Sequence, residues 1–128
     1  MPEQATAEHV VDVSIGDPRF VSAVLERLVS AAAARAELPV DRVINAMTVV
    51  DALVHASDSV LGEGPRKLQL AIGEGSLGLR VDGLFDGQAE AIREAAHVPA
   101  VGDVFERTAT AVSIEHDGTH SALVILLS

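Results

Sequence analysis

The chain opens on a two-residue alternation. Val11, Val13 and Ile15 are separated by Asp12 and Ser14, the period of a half-buried strand, and the pattern stops at Gly16. Asp17-Pro18 then reads as a helix start, because a carboxylate can accept the free N–H groups of a first turn and proline has none to lose. Val21, Val24, Leu25, Leu28 and Ala32 recur at helical spacing in an alanine-rich run. Pro39 ends that helix and begins a second one. In it Val43, Met47, Val50 and Val54 repeat at steps of three and four as far as about Leu61.

Gly62, Gly64 and Pro65 break the pattern. Leu68, Leu70 and Ile72 alternate with Lys67 and Gln69, and after Glu74-Gly75 the same period returns in Leu77, Leu79 and Val81, which predicts a hairpin. From Asp82 to about Gly102 the periodicity is weak, with room for a short helix at Gln88 to Ala96. Val112 and Ile114 alternate on another strand, Asp117-Gly118 is a hairpin signal, and Ser121 to Leu127 forms the last strand. Leu123, Ile125 and Leu127 share one face of it, while Val124 and Leu126 make the other face apolar too, as expected of a central or covered strand.

Strand, two helices, hairpin, irregular segment, hairpin: this order predicts an α+β two-layer sandwich, a mostly antiparallel sheet backed by helices. Residues 1–8 read as an N-terminal tail and 9–128 as a single domain, without internal repeat or linker.

Composition narrows the functional classes. With 48% hydrophobic residues the 128-residue chain can offset the entropy of ordering itself. The absence of cysteine excludes disulfides, thiol catalysis and cysteine-bound zinc. A net charge of -10 speaks against nucleic acid, whose affinity comes from neutralising phosphates, and three phenylalanines are the only aromatic residues available for base stacking. Met1 to Val10 carry two acids and no apolar core, unlike a signal peptide. Apolar runs such as Ala122 to Leu127 fall far below the roughly 20 residues that cross a bilayer, so a cytoplasmic protein without membrane contact is expected.

Several apparent motifs dissolve in context. Gly73, Gly75 and Gly78 have dinucleotide-loop spacing, but such a loop needs a helix after it and a strand follows here. Ser76 lacks the glycine two positions earlier that a nucleophile elbow requires, that place being Glu74. His116 and His120 flank a hairpin turn and project to opposite sheet faces, so they do not form a metal pair.

The second helix holds the most interesting group. Thr48, Asp51, His55 and Asp58 follow steps of three, four and three, which places them within roughly 80° of arc beside the apolar face. Asp51 and His55 are neighbours one turn apart, so a carboxylate can reach the imidazole. Two readings compete: the polar rim of an amphipathic helix, and the wall of a ligand cleft formed where this helix meets the strand ending at Asp82.

In order along about nine-tenths of the chain, several segments resemble the anti-sigma regulatory factor and serine-protein kinase family of bacteria. That family belongs to the GHKL ATPases, with the histidine-kinase-like ATPase fold. VDVSIGDPRFVSAVLERL, Val11 to Leu28, is similar to the family's first strand and helix. TVVDALVHAS, Thr48 to Ser57, sits where the family carries its acidic N-box, and LGLRVDG, Leu77 to Gly83, sits where the D-x-G-x-G nucleotide motif belongs. VFERTATAVSIEHDGTHSALVILL, Val104 to Leu127, is similar to the closing helix and hairpin.

The resemblance implies roles and also deficits. Asp51 stands at the N-box position of the catalytic glutamate, one methylene shorter, and His55 stands where an asparagine holds magnesium. Imidazole is a poor ligand for Mg²⁺, which wants oxygen in near-octahedral geometry. Asp82 stands at the adenine-binding aspartate, but Leu84 and Asp86 replace the two following glycines. Only Gly87 and Gly102 remain for the phosphate lid, and Lys67 is the sole lysine. Three weakened contacts at about 1–2 kcal/mol each lower affinity by several orders of magnitude.

The expectation is therefore a degenerate member without resident cofactor or metal and without kinase activity. It would bind a sigma factor, a STAS-type antagonist protein, or both, and dimerise as family members commonly do. The alternatives are an active ATP- and magnesium-dependent serine/threonine-protein kinase with Asp51 as base, and a small-molecule sensor using the vacated cleft around Asp51, His55 and Asp82.

Overall fold

A computed structural model describes residues 7–62, 66–85, 87–98 and 102–128. The predicted α+β organisation is present. Strand β1 (Ala7–Ile15) leads through a 3₁₀ turn (Pro18–Phe20) into α1 (Val21–Arg35) and α2 (Val40–Leu61). The hairpin of β2 (Arg66–Gly73) and β3 (Ser76–Phe85) follows, then α3 (Gln88–Ala95), a two-stranded ribbon of β4 (His97–Val98) and β5 (Gly102–Asp103), α4 (Val104–Thr108), and the hairpin of β6 (Ala111–Asp117) and β7 (His120–Leu127). The main sheet is antiparallel throughout, in the order β1-β2-β3-β7-β6. Strand β1 starts at Ala7, so it takes in the end of the segment read as a tail. Residues 1–6 of that tail lie outside the described residues.

Alternation sorts the side chains. Leu68, Leu70, Leu79, Val81, Leu123 and Ile125 point into one core, which α1 fills with Val21, Leu25 and Val29 and α2 with Val49, Val50 and Leu53. At about 25 cal/mol per Å² of apolar surface removed from water, such side chains supply most of what holds the two layers together. Alanines at 32, 33, 36 and 46 are buried, and their small size lets the two helices approach closely. The doubly apolar β7 lies inside the sheet, between β3 and β6, as its pattern demanded.

Helix boundaries follow local chemistry. Asp17 does accept backbone N–H, from Arg19 at 3.0 Å, but this closes the 3₁₀ turn, and α1 proper begins only at Val21. At the other end of α1 the N–H of Leu38 reaches the carbonyl of Ala33 and that of Glu37 reaches Ala34, a Schellman closure that sets Glu37 at φ 59. Gly75, in the β2–β3 turn, donates to the freed carbonyl of Ala36 at 2.7 Å and ties the hairpin to the helix end. Asp103 caps α4 by accepting from the N–H groups of Phe105 and Glu106.

The β6–β7 turn corrects one expectation. Asp117 pairs with His120, so the two turn residues are Gly118 and Thr119 rather than Asp117 and Gly118. Only Gly118 of the two has positive φ, which suits a turn with glycine at its first central place. His116 and His120 still diverge, because His116 now pairs with Ser121 and His120 with Asp117.

Candidate functional site

Helix α2 carries Thr48, Asp51, His55 and Asp58 on one stripe, and all four are exposed. The buried positions of α2, including Val50, Leu53, Val54 and Ser57, lie on its other side. Thr48 turns its hydroxyl back to the carbonyl of Ile44 at 3.1 Å, a bond that keeps it on its own helix. No hydrogen bond or ion pair joins Asp51 to His55 among the described residues, although the spacing allows one. The stripe has the geometry of a solvated helix face.

The end of β3 decides whether that stripe walls a cleft. Val81 pairs with Leu123, and the next paired position is Leu84 with Ser121, so three steps on β3 match two on β7. The extra residue sits at a bulge where Gly83 has φ +72, a conformation that side chains with a Cβ rarely adopt. Asp82 precedes the bulge and shares the face of Arg80, away from the core that Val81 and α2 occupy. There it accepts from Arg80 Nε at 2.8 Å, while Arg80 Nη1 donates to Glu115 on β6. Glu115 above all, with Asp82 adding, raises the Arg80 pKa from its ordinary value, against the opposing effect of partial burial. These ion pairs are half exposed and therefore contribute modestly.

Leu84, after the bulge, turns inward. It is 1% exposed and belongs to the same core cluster as Ala89 and Ile92 of α3 and Phe105 of α4, each 0% exposed. Helix α3 lies against α2, β3 and β7 and seals the core at this end. It is held from outside by polar ties. Gln88 accepts the N–H of Phe85 at 2.7 Å, and Arg93 reaches Asp103 at 3.1 Å and Glu106 at 2.9 Å.

The expected site residues thus separate into three places. Thr48, Asp51, His55 and Asp58 stand together on the solvent face of α2. Asp82 lies on the opposite face of the sheet, and Leu84 lies inside the core. The shared cleft expected around Asp51, His55 and Asp82 is not formed, because the sheet itself intervenes between Asp82 and the helix. Beside Leu84, apolar side chains of β3 and α3 pack together in the core. Asp86, expected in place of a motif glycine, lies outside the described residues. Among the described residues no three histidine or acidic side chains gather as a metal site.

Shallow grooves lie elsewhere on the described surface. One, about 420 Å³, runs over α3 and is lined by Glu90, Arg93, Glu94, His97, Asp103 and Ile114, with Arg93 already paired. Another, about 360 Å³, lies beside Arg80, Asp82, Glu115 and His120. Sequence reading did not single out either, since their residues come from strands and helices distant along the chain. Among the described residues no helix is long and apolar enough to cross a membrane. No protein-family model matches the chain, and no characterised protein aligns with it.

Proposed function

We propose that this chain is a regulatory binding domain of the anti-sigma-factor kind, on a histidine-kinase-like ATPase fold whose nucleotide place is filled by protein. The observation that carries this reading is the packing of Leu84 with Ala89 and Ile92 in one core at the end of β3. Such a domain acts by occluding a partner's surface, which needs shape and a surface patch but no bond-making chemistry. The exposed stripe of Asp51, His55 and Asp58 and a net charge of -10 supply a polar, acidic surface, suited to a partner with basic residues.

The partner class is a sigma factor or a STAS-type antagonist. The test is co-purification from the native cell, followed by reconstitution from purified components with and without ATP and Mg²⁺. The expected result is a complex with one of these proteins that forms equally well in both conditions and leaves neither protein phosphorylated. A complex that requires ATP, or phosphate transfer to a serine of the partner, contradicts the reading.

A further inference from the structure

One face of α2 stays uncovered along most of its length. Val40 and Ile44 open it, 76% and 60% exposed, and Val40 is the most exposed large apolar side chain among the described residues. Thr48, Asp51, His55 and Asp58 continue the same stripe. From Ile44 onward the positions follow steps of four, three, four and three, the spacing of a coiled-coil seam. A second helix crossing at about 20° therefore stays over the stripe and does not drift off it. At about 1.5 Å per residue the stripe runs roughly 27 Å from Val40 to Asp58.

Its two ends differ in chemistry. After Arg42 the helix contains no lysine or arginine, and its ionisable side chains are Asp51, His55 and Asp58, all on this stripe. A carboxylate in the last turn faces the negative end of the helix dipole, and the cation that would offset it is absent from that turn. Among the described residues Asp51 makes no hydrogen bond or ion pair. Neither end serves α2 itself: apolar side chains stand in water at one, and negative charge meets negative charge at the other. A ligand that brings apolar groups to the first and cations to the second relieves both.

We propose, on the binding reading above, that this stripe seats one helix of the partner protein. That helix carries two apolar side chains one turn apart over Val40 and Ile44, and lysine or arginine over Asp51 and Asp58. A second copy of this chain has the wrong charges for the seat. Laid parallel, it sets Asp51 against Asp51; laid antiparallel, it sets the apolar end of each copy against the acidic end of the other.

The probe is a labelled synthetic helical peptide of about 20 residues, matched in length to the stripe. It carries two leucines four positions apart near one end and lysines at steps of three and four toward the other. Fluorescence anisotropy with the full chain should give saturable binding at about 10–100 μM, weaker when salt screens the charges. A peptide of the same composition in scrambled order should bind at least about tenfold more weakly, and so should Ile44→Asp with the ordered peptide. Asp51→Lys should weaken the lysine peptide about fivefold and bind a glutamate version better than the wild type does. Asp117→Lys, the same charge change on the far hairpin, should leave the affinity unaltered. Circular dichroism confirms that each variant is folded.

Absence of saturable binding up to about 1 mM overturns the proposal. So does binding that the scrambled peptide equals, that folded Ile44→Asp or Asp51→Lys leaves unchanged, or that Asp117→Lys weakens as much as Asp51→Lys. No sigma factor or antagonist enters this experiment, so a negative result strikes the seat on α2 and leaves the binding function to its own test.

Discussion

Asp82 and Leu84 leave the same strand on opposite faces of the sheet, although two residues apart on a regular strand they would share one. Asp82 meets Arg80 on the outer face, and Leu84 is buried with the helices. The bulge at Gly83 produces the inversion by adding one residue to β3 against β7. The carboxylate is turned away from the second helix, and a leucine is turned toward it.

Leu84 should behave as a core residue and not as a lining residue. Leu84→Ala is expected to destabilise the fold by about 2–5 kcal/mol, the range for truncating a fully buried leucine. Chemical denaturation with an unchanged m-value checks this. A loss below about 0.5 kcal/mol, the size of an ordinary surface substitution, would mean that the side chain is not packed as described.

Glu37 is the one non-glycine residue with positive φ among the described residues, held there by the closure of α1. Its side chain is exposed, so nothing in the core compensates for the backbone strain. Glu37→Gly is expected to stabilise the protein by roughly 0.5–1 kcal/mol, the relief of left-handed strain less the extra entropy of glycine in the unfolded chain. The melting temperature of the variant is the readout, and a decrease would contradict the assignment of strain.

Asp17 accepts three bonds from the Arg19 guanidinium and one from its backbone, and the side-chain contact is the main cause that lowers its pKa from the ordinary aspartate value. For a lowered carboxylate the folded state binds fewer protons than the unfolded state. The contact therefore contributes above an unfolded pKa of about 3.9 and is lost as pH falls through the lowered folded value. Both groups are exposed, so the effect on stability is small. A carboxyl-detected NMR titration should place the Asp17 midpoint below those of unpaired aspartates, and Arg19→Ala should move it upward.

Much of the architecture is legible in the sequence because it rests on periodicity. The alternation of Leu68 to Ile72 and Leu77 to Val81 fixes a hairpin and its core face, and the three- and four-residue steps of Val43 to Val54 fix α2 and its polar stripe. The facing of Asp82 against Leu84 is not legible, since one inserted residue reverses a face without altering composition. The hairpin at Gly118 shows a similar limit: Asp117-Gly118 and Gly118-Thr119 are both plausible turn pairs, and the cross-strand register of His116 with Ser121 chooses between them. Helix α3 was anticipated almost to its ends, but its place was not, because Ala89 and Ile92 alone do not say against what they are buried.

Isothermal calorimetry of the purified protein with ATP, in the presence and absence of Mg²⁺, tests most directly the proposal that protein fills the place a nucleotide would take. No saturable heat is expected in either condition up to millimolar nucleotide, a limit that corresponds to binding weaker than about 4 kcal/mol. Saturable magnesium-dependent binding at micromolar ATP would contradict it, because Leu84 and Ile92 could not then occupy the space they do.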